Sequence, residues 1–263
     1  MIPIAINGAA GRMGRRLVAL ATEDSSLTVV AALEAPQSPA IEQDAGLVAG
    51  VGPLDVPISE RLEANARVVI DFTTPQATRT ILQQCVERGV ALVIGTTGLT
   101  AEDHAAIDDA AGRIPVLQAP NMSLGVNLLF ALAGRVAAQL GDDYDIEIVE
   151  THHRFKKDAP SGTAWGIAEA ICRATGKDIH RDVVHGRHGD DVTRQRGQIG
   201  MHALRSGDVV GRHTVSFGTL GEELSLTHVA TNRDVFARGA LHAARWLVNK
   251  PAGRYTMADV LGL

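Results

Sequence analysis

The first 120 residues alternate short apolar runs with longer amphipathic stretches. Ile2 to Ile6, Leu27 to Leu33, Val68 to Phe72, Ala91 to Gly95 and Ile114 to Ala119 are apolar, partly β-branched runs that read as strands. Between them, Arg12 to Thr22, Gln76 to Arg88 and Ala101 to Arg113 carry helical spacing. Strands joined by helical crossovers predict a parallel, doubly wound sheet. Pro3 falls in what should be a central strand, where a missing donor is tolerated only at the start of the ladder.

After Pro120 the pattern changes. A long helix is predicted from Ser123 to Leu140, a strand from Tyr144 to His153 and a helix from Gly162 to Thr175. Gln198 to Ala230 is strand-rich, with turn signals at Ser206-Gly207-Asp208 and at Gly218 to Gly221, so a mixed or antiparallel layer is expected. Gly176 to Arg196 is polar and rich in histidine and reads as a mobile or inserted loop. Asp234 to Asn249 has the apolar spacing of a helix packed on a sheet. The fold class expected is α/β: an N-terminal Rossmann-type doubly wound parallel sheet over residues 1–122 and a second, mixed α+β domain over 123–230. A C-terminal helical segment, 231–263, returns to the first domain.

Composition narrows the function. With 263 residues, 45% hydrophobic and 21% charged, the chain can bury one large core or two moderate ones. A formal net charge of −5 lacks the basic excess of a nucleic-acid binder, so no nucleic-acid partner is expected. Two cysteines, Cys85 and Cys172, both in predicted helices, exclude a disulfide framework and fit a reducing compartment. The chain enters its first strand without a basic leader, and no apolar run approaches the roughly 20 residues that span a bilayer. No membrane association and a cytoplasmic location are therefore expected.

Two stretches carry candidate chemistry. In "NGAAGRMG", Gly8, Gly11 and Gly14 fall between a strand and a helix, where glycine permits a sharp turn and lets backbone amides approach a pyrophosphate at the helix N-terminus. Gly14 has the separate task of close helix–strand packing. The second strand runs into Glu34, an acidic side chain placed to accept from adenosine ribose hydroxyls. "VIGTTGL" and "APNMSLGVN" also fall at strand carboxyl ends, the ligand-binding edge of an open parallel sheet.

The second stretch is "ETHHRFKKDAPSGTA", Glu150 to Ala164. In a regular strand His152 and His153 face opposite ways, so they cannot share one task unless the strand has ended. Ser161 reads as a helix N-cap, with the amides of Gly162 and Thr163 placed to bind an anion. An imidazole, a lysine and a helix N-terminus make a receptor for carboxylates with a proton donor that titrates near neutral pH. The substrate expected is a small anionic acid. A metal site is the competing use of the histidines, with His180, His185 and His188 as the candidate cluster, but HExxH and Cys-pair spacings are missing and no metal is expected.

On "GAAGRMGR", "DFTTP", "GTTG", "APNMSLGVN", "HHRFKKDAPSGTA", "GDVVGRH" and "FARGALHAARWL", spread over nearly the whole chain, the sequence resembles the 4-hydroxy-tetrahydrodipicolinate reductase (dihydrodipicolinate reductase) family of diaminopimelate and lysine synthesis. The resemblance implies NADH or NADPH as cofactor, held by Gly8, Ala9, Ala10, Gly11, Arg12, Met13 and Glu34 on the adenosine and pyrophosphate side. Gly95, Thr96 and Thr97, with Ala119, Pro120, Asn121 and Met122, would line the nicotinamide half. It further implies His152 as general acid or base, Lys156 as a second proton donor, and His153, Ser161, Gly162 and Thr163 around the carboxylates of a small dicarboxylate substrate. A homotetramer assembled through the sheet of the second domain is implied as well. The sequence departs from some family members at Ala35, where they carry a basic residue, and at Thr74, where they carry arginine; both bear on cofactor choice. With Ala35 beside Glu34, NADH is expected to be preferred, or both cofactors used, and Arg12 and Arg16 are the remaining candidates for a 2′-phosphate ligand. Two alternatives stand beside this reading: a semialdehyde dehydrogenase, which needs a nucleophilic cysteine, and a non-catalytic redox sensor, which needs no proton donor.

Overall fold

The computed structural model describes all 263 residues. In chain order the elements begin β1 (Ile2–Asn7), α1 (Arg12–Thr22), β2 (Leu27–Leu33), α2 (Ala45–Ala49), β3 (Ile58–Ser59), β4 (Val68–Asp71), α3 (Pro75–Arg88), β5 (Ala91–Ile94), α4 (Ala101–Ala111) and β6 (Pro115–Gln118). They continue with α5 (Leu124–Leu140), β7 (Asp145–His152), α6 (Gly162–Thr175), α7 (Ile179–Asp182), β8 (Val183–His185), β9 (Ile199–Arg205), β10 (Gly211–Thr219) and β11 (Glu222–Ala230). The chain closes with α8 (Asp234–Leu247), β12 (Gly253–Tyr255) and α9 (Met257–Leu261). Two compact units result, one of Met1–Leu124 with Asp234–Leu263 and one of Gly125–Arg233.

The first unit is a seven-stranded sheet in the order β12-β6-β5-β4-β1-β2-β3, with every pair parallel. The order reverses between β1 and β4, which is the crevice where open sheets of this kind bind dinucleotides. Both faces are covered, which is why the strands read as continuous apolar runs. Ile4, Ile6, Val68, Ile70 and Val93 pack with Leu17, Val18, Ala240 and Leu247 on one side. Ala5, Val69, Leu92 and Ile94 pack with Ile81, Leu82 and Ile107 on the other. Pro3 sits in a central strand, but pairing with β4 begins only at Ile4, and the register with β2 shifts between Ile4 and Ala5. The proline is therefore placed before the double-sided part of the ladder. β12, which the chain pattern did not predict, extends the sheet past β6, and α9, within the segment expected to be helical, adds Met257 and Val260 to the core.

In the second unit, five strands run β11-β10-β7-β9-β8, with β10 antiparallel to both neighbours and β7, β9 and β8 parallel. α5 and α6 cover one face: Leu129, Ala133, Ile167 and Ile171 pack on Ile146, Ile148, Ile199, Met201, Val215 and Phe217. Two expectations need correction. The stretch predicted as a loop, Gly176 to Arg196, contains α7, capped by Asp178, and β8, an edge strand whose three residues pair with β9. In addition, Leu124–Asp143 forms a helical segment of 20 residues with mean hydropathy 1.4, long and apolar enough by length and composition to cross a membrane. The apolar content that lets it pass that test is in part the stripe it buries against this sheet, Leu129, Ala133 and Ala137.

Candidate active site

At the switch point of the first unit, Gly8 takes φ +77°, a conformation L side chains rarely adopt, and its amide and that of Ala9 both donate to Leu33 O. A Cβ on Gly14 would stand 2.0 Å from Gly8 O and 2.7 Å from Ala9 Cα, so α1 lies directly against the turn. Gly11 caps α1, exposed and in extended backbone conformation, and Arg12 follows it, also exposed. This is the cradle a pyrophosphate needs: bare backbone, a close helix and an open N-terminus. Ala9 is buried and Met13 packs on the core, so both can offer only backbone there.

Glu34 turns back onto the cradle, its carboxylate accepting from Ala10 N at 2.9 Å and Ala35 N at 3.3 Å. One of its oxygens is thereby committed to shaping the turn. Arg16 is committed too, in a two-pronged pair with Asp234 at 2.7 and 2.8 Å. Arg12 and Arg15 have no ion-pair partner, and Arg15 Nε donates to Ala10 O at 2.7 Å, which leaves Arg12 as the cation of this turn held neither by a carboxylate nor by the turn's backbone.

Beneath the turn lies a buried carboxylate, Asp71, at the end of β4. It accepts from Asn7 Nδ2 at 2.7 Å, Thr73 Oγ1 at 2.6 Å, Thr96 Oγ1 at 2.9 Å and Thr78 Oγ1, and Thr96 Oγ1 in turn accepts from Thr73 N. One side chain thus ties together the carboxyl ends of β1, β4 and β5. The Thr96 hydroxyl is consumed in this network, and Gly95 lets the Phe72 ring lie against its backbone, where a Cβ would come to 2.4 Å. Thr97 and Pro120 are exposed, Asn121 Oδ1 accepts from Ser123 N, and Ala119 and Met122 are buried.

The second unit builds its site from the alternation of β7. Ile146, Ile148, Glu150 and His152 share the face that packs on the helices, so the core-facing row ends in a carboxylate and an imidazole. β10 does the same, because His213 pairs with Glu150 across the ladder and follows the parity of Val215 and Phe217. Glu150 is fully buried and accepts from His152 Nδ1 at 2.6 Å, from Arg205 at 2.9 and 3.0 Å and from Ser161 N at 3.0 Å. Burial works against the charged form, but the hydrogen bonds from Arg205 and His152 outweigh it and hold the carboxyl below its ordinary range. His213 Nε2 lies 2.9 Å from Ser161 Oγ, and the His213 ring stands edge-on to His152 with centroids 5.1 Å apart. Burial, then the neighbouring His152, pushes His213 down to about 4, so it is neutral at physiological pH.

Ser161 is the N-cap of α6, its hydroxyl accepting from Ala164 N at 3.2 Å. The residue is 2% exposed. Its side chain therefore faces the protein, and the open part of this helix start is Gly162, around which a Cβ would meet nothing within 4 Å, with half-buried Thr163 beside it. The strand ends at His152, and His153 begins the turn, its Nδ1 buried without a hydrogen-bond partner. Lys156 is paired with Asp158, with both carboxylate oxygens at 2.8 Å, so its ammonium is held on the loop and not on His152. A groove of about 620 Å³ along the β8–β9 edge is lined by Pro160, Trp165, His185 and Met201, and includes neither His152 nor Gly162. His185 stacks edge-on against Trp165 at 5.4 Å, and no three His, Cys, Asp or Glu side chains gather as a metal site. Cys85 and Cys172 are free and buried, and burial raises both thiols, which removes the nucleophile a semialdehyde dehydrogenase needs. Sequence reasoning missed Glu150, Arg205 and His213. The signal available was the strand parity that joins Glu150 to His152.

A doubly wound sheet with a glycine turn at its switch point, in a chain that also carries an imidazole held on a buried carboxylate, fits a dinucleotide-dependent oxidoreductase. Residues 2–122 match "Dihydrodipicolinate reductase, N-terminus" and residues 125–261 match "Dihydrodipicolinate reductase, C-terminus". The chain is 49% identical over 266 residues to a 4-hydroxy-tetrahydrodipicolinate reductase of Syntrophotalea carbinolica, covering all of both chains. It is 50% identical to one from an Anaeromyxobacter species, covering 100% of this chain and 98% of the relative. A dipicolinate-bound dihydrodipicolinate reductase from Paenisporosarcina sp. TG-14 superposes with TM-score 0.76 at 25% identity, over 98% of each chain. A myo-inositol dehydrogenase of Corynebacterium glutamicum, TM-score 0.58 at 14% identity over 96% of this chain and 90% of its own, shares the fold alone. The chain belongs to the dihydrodipicolinate reductase family.

Proposed function

We propose that the chain reduces 4-hydroxy-tetrahydrodipicolinate to tetrahydrodipicolinate in diaminopimelate and lysine synthesis. The observation that carries the reading is His152, whose Nδ1 is held by a buried carboxylate while the ring lies in the segment that opens α6. Loss of the 4-hydroxyl and a C3 hydrogen as water gives the cyclic conjugated imine, and the nicotinamide cofactor, when bound, would supply a hydride to its C4. His152, as imidazolium, delivers a proton from Nε2 to the adjacent C3. Gly162 and Thr163, at the positive end of α6, together with His153, receive the substrate carboxylates. Lys156 would reach a substrate only by exchanging its contact with Asp158. Residues Gly8 to Met13 with Glu34 hold the adenosine and pyrophosphate, and the loops after β5 and β6 hold the nicotinamide. NADH is the preferred cofactor or both are used, because Ala35 brings no cation to a 2′-phosphate.

The assembly proposed is a cytoplasmic homotetramer formed through the sheet of the second unit. Its face opposite α5 and α6 carries the ladders Thr214–Thr227 and Ser216–Ser225, with Leu204 and Val229 exposed beside them. Activity is tested by following NADH absorbance with the condensation product of pyruvate and aspartate semialdehyde. His152→Gln is expected to lower kcat ~10²–10⁴-fold with NADH affinity unchanged. Pyridine-2,6-dicarboxylate should compete with substrate far better than its monocarboxylate analogue. Wild-type turnover in His152→Gln, or equal inhibition by the two analogues, would overturn the assignment of those residues.

A further inference from the structure

A fully buried carboxylate at the end of a core-facing row needs a reason, and Arg205 alone does not supply it. Glu150 makes its shortest contact, 2.6 Å, with His152 Nδ1 and not with the guanidinium, whose nitrogens stand at 2.9 and 3.0 Å. We propose that Glu150 is a positioning residue for the proton transfer: it fixes the orientation and tautomer of His152 and holds the first turn of α6 on the same carboxylate. The inference rests on the reading of His152 as proton donor. An ionised carboxylate only accepts. Nδ1 therefore carries a hydrogen in both charge states of His152, and Nε2 is the atom that gains and loses the proton.

The surroundings of the ring agree with that division. A Cβ on Gly211 would lie 3.2 Å from His152 Nε2, so the missing side chain keeps that nitrogen approachable. Arg205 keeps Glu150 ionised and is itself tethered to the carbonyls of Asp158 and Leu204. It also pairs with His152 in the β7–β9 register. The second oxygen of Glu150 reaches Ser161 N, so the imidazole and the helix start that faces the carboxylates are referenced to one rigid group. His213 closes the other side, edge-on to His152 and bonded to the Ser161 hydroxyl.

The test uses the full-length chain with ¹⁵N-labelled histidine. Long-range ¹H–¹⁵N correlations at alkaline pH, with the His152 signals assigned by their loss in His152→Gln, should show the Nδ1–H tautomer. A ring predominantly protonated on Nε2 would overturn the proposal, and this result needs no substitution at Glu150. Glu150→Gln is then expected to lower kcat about 10²-fold while NADH affinity changes less than twofold. Because Glu150 acts through His152, adding Glu150→Gln to His152→Gln should cost almost nothing further. A full additional loss in the double variant would show a role independent of His152 and refute the inference. Wild-type kcat in Glu150→Gln beside a normal loss in His152→Gln refutes the positioning role alone. Wild-type kcat in His152→Gln removes the proton-donor reading and the positioning role with it.

Discussion

Lowering the pH from 7.5 to 5 should weaken the second unit through His213 in particular. The ring is 4% exposed, its Nδ1 is buried without a partner, and it stands beside a second imidazole. Burial first, and the charge of His152 second, bring it to about 4 from an ordinary 6.5. In the unfolded chain the same ring protonates near 6.5. The sign follows from linkage: above 6.5 neither state binds the proton, between 6.5 and 4 only the unfolded state does, and stability falls with pH through that window. At about 1.4 kcal/mol per pH unit the full loss is about 3 kcal/mol by pH 4, of which about 2 kcal/mol has accrued at pH 5. The depressed carboxyls, Glu150 and Glu147, lose their contribution only as pH falls through and below the ordinary value of 4.5, under the pH 7.5-to-5 interval of the comparison. His228 and His242 are also lowered by burial and act in the same direction. The measurement is therefore a difference. Urea unfolding is followed by Trp165 fluorescence in a Trp246→Phe background, at fixed ionic strength, with and without His213→Gln. The Gln variant should show a pH 7.5-to-5 loss smaller by about 2 kcal/mol. Parallel pH dependences in the two proteins would refute the argument.

Gly14→Ala should raise the NADH dissociation constant at least tenfold and cost about 1–3 kcal/mol of stability, because its Cβ would overlap Gly8 O and force α1 off the turn; calorimetry with NADH fluorescence titration reads both. Ala35→Arg should raise kcat/KM with NADPH relative to NADH. Wild type favouring NADPH more than tenfold would instead point to Arg12, since Arg16 is held by Asp234. Glu147 binds His202 of β9 and also Arg187 and Arg194, which tie the 186–198 segment to β7, so Glu147→Ala should speed amide exchange across that segment while β4 and β5 stay protected.

Much of the fold is legible because its signals are local. The strands of the first unit are buried on both faces and their turns are marked by glycine, so runs such as Val68 to Ile70 and Ala91 to Ile94 announce themselves. α6 is equally legible, since Ser161 caps it and Gly176 ends it in the left-handed conformation. Short elements fail for the opposite reason. β3, β8 and β12 have two or three residues each, and each exists because a longer neighbour offers it an edge. That partner is distant in the chain, as Gly253 to Tyr255 on Pro115 to Leu117 illustrates.

The candidate site divides along the same line. The geometry around Gly8, Gly14 and Glu34 is readable because a strand–turn–helix unit is local and its spacing follows from one strand, one turn and one helix. His152 is readable as a titratable group next to a helix start, but what controls it is not. Glu150 is two residues away and invisible as a partner unless strand parity is applied to polar positions as well as to apolar ones. Arg205 and His213 come from β9 and β10, 53 and 61 residues further along the chain than His152, and only the sheet register places them against β7. The same register explains why Ser161, which sequence groups with the ligand-facing residues, turns its hydroxyl inward: His213 stands opposite Glu150, and a buried imidazole at that position takes the hydroxyl as its partner. A polar residue on a core-facing row is thus a request for partners. Here Glu150 takes Nδ1 of His152 as one of its partners, and Nε2 is the nitrogen that does not contact the carboxylate.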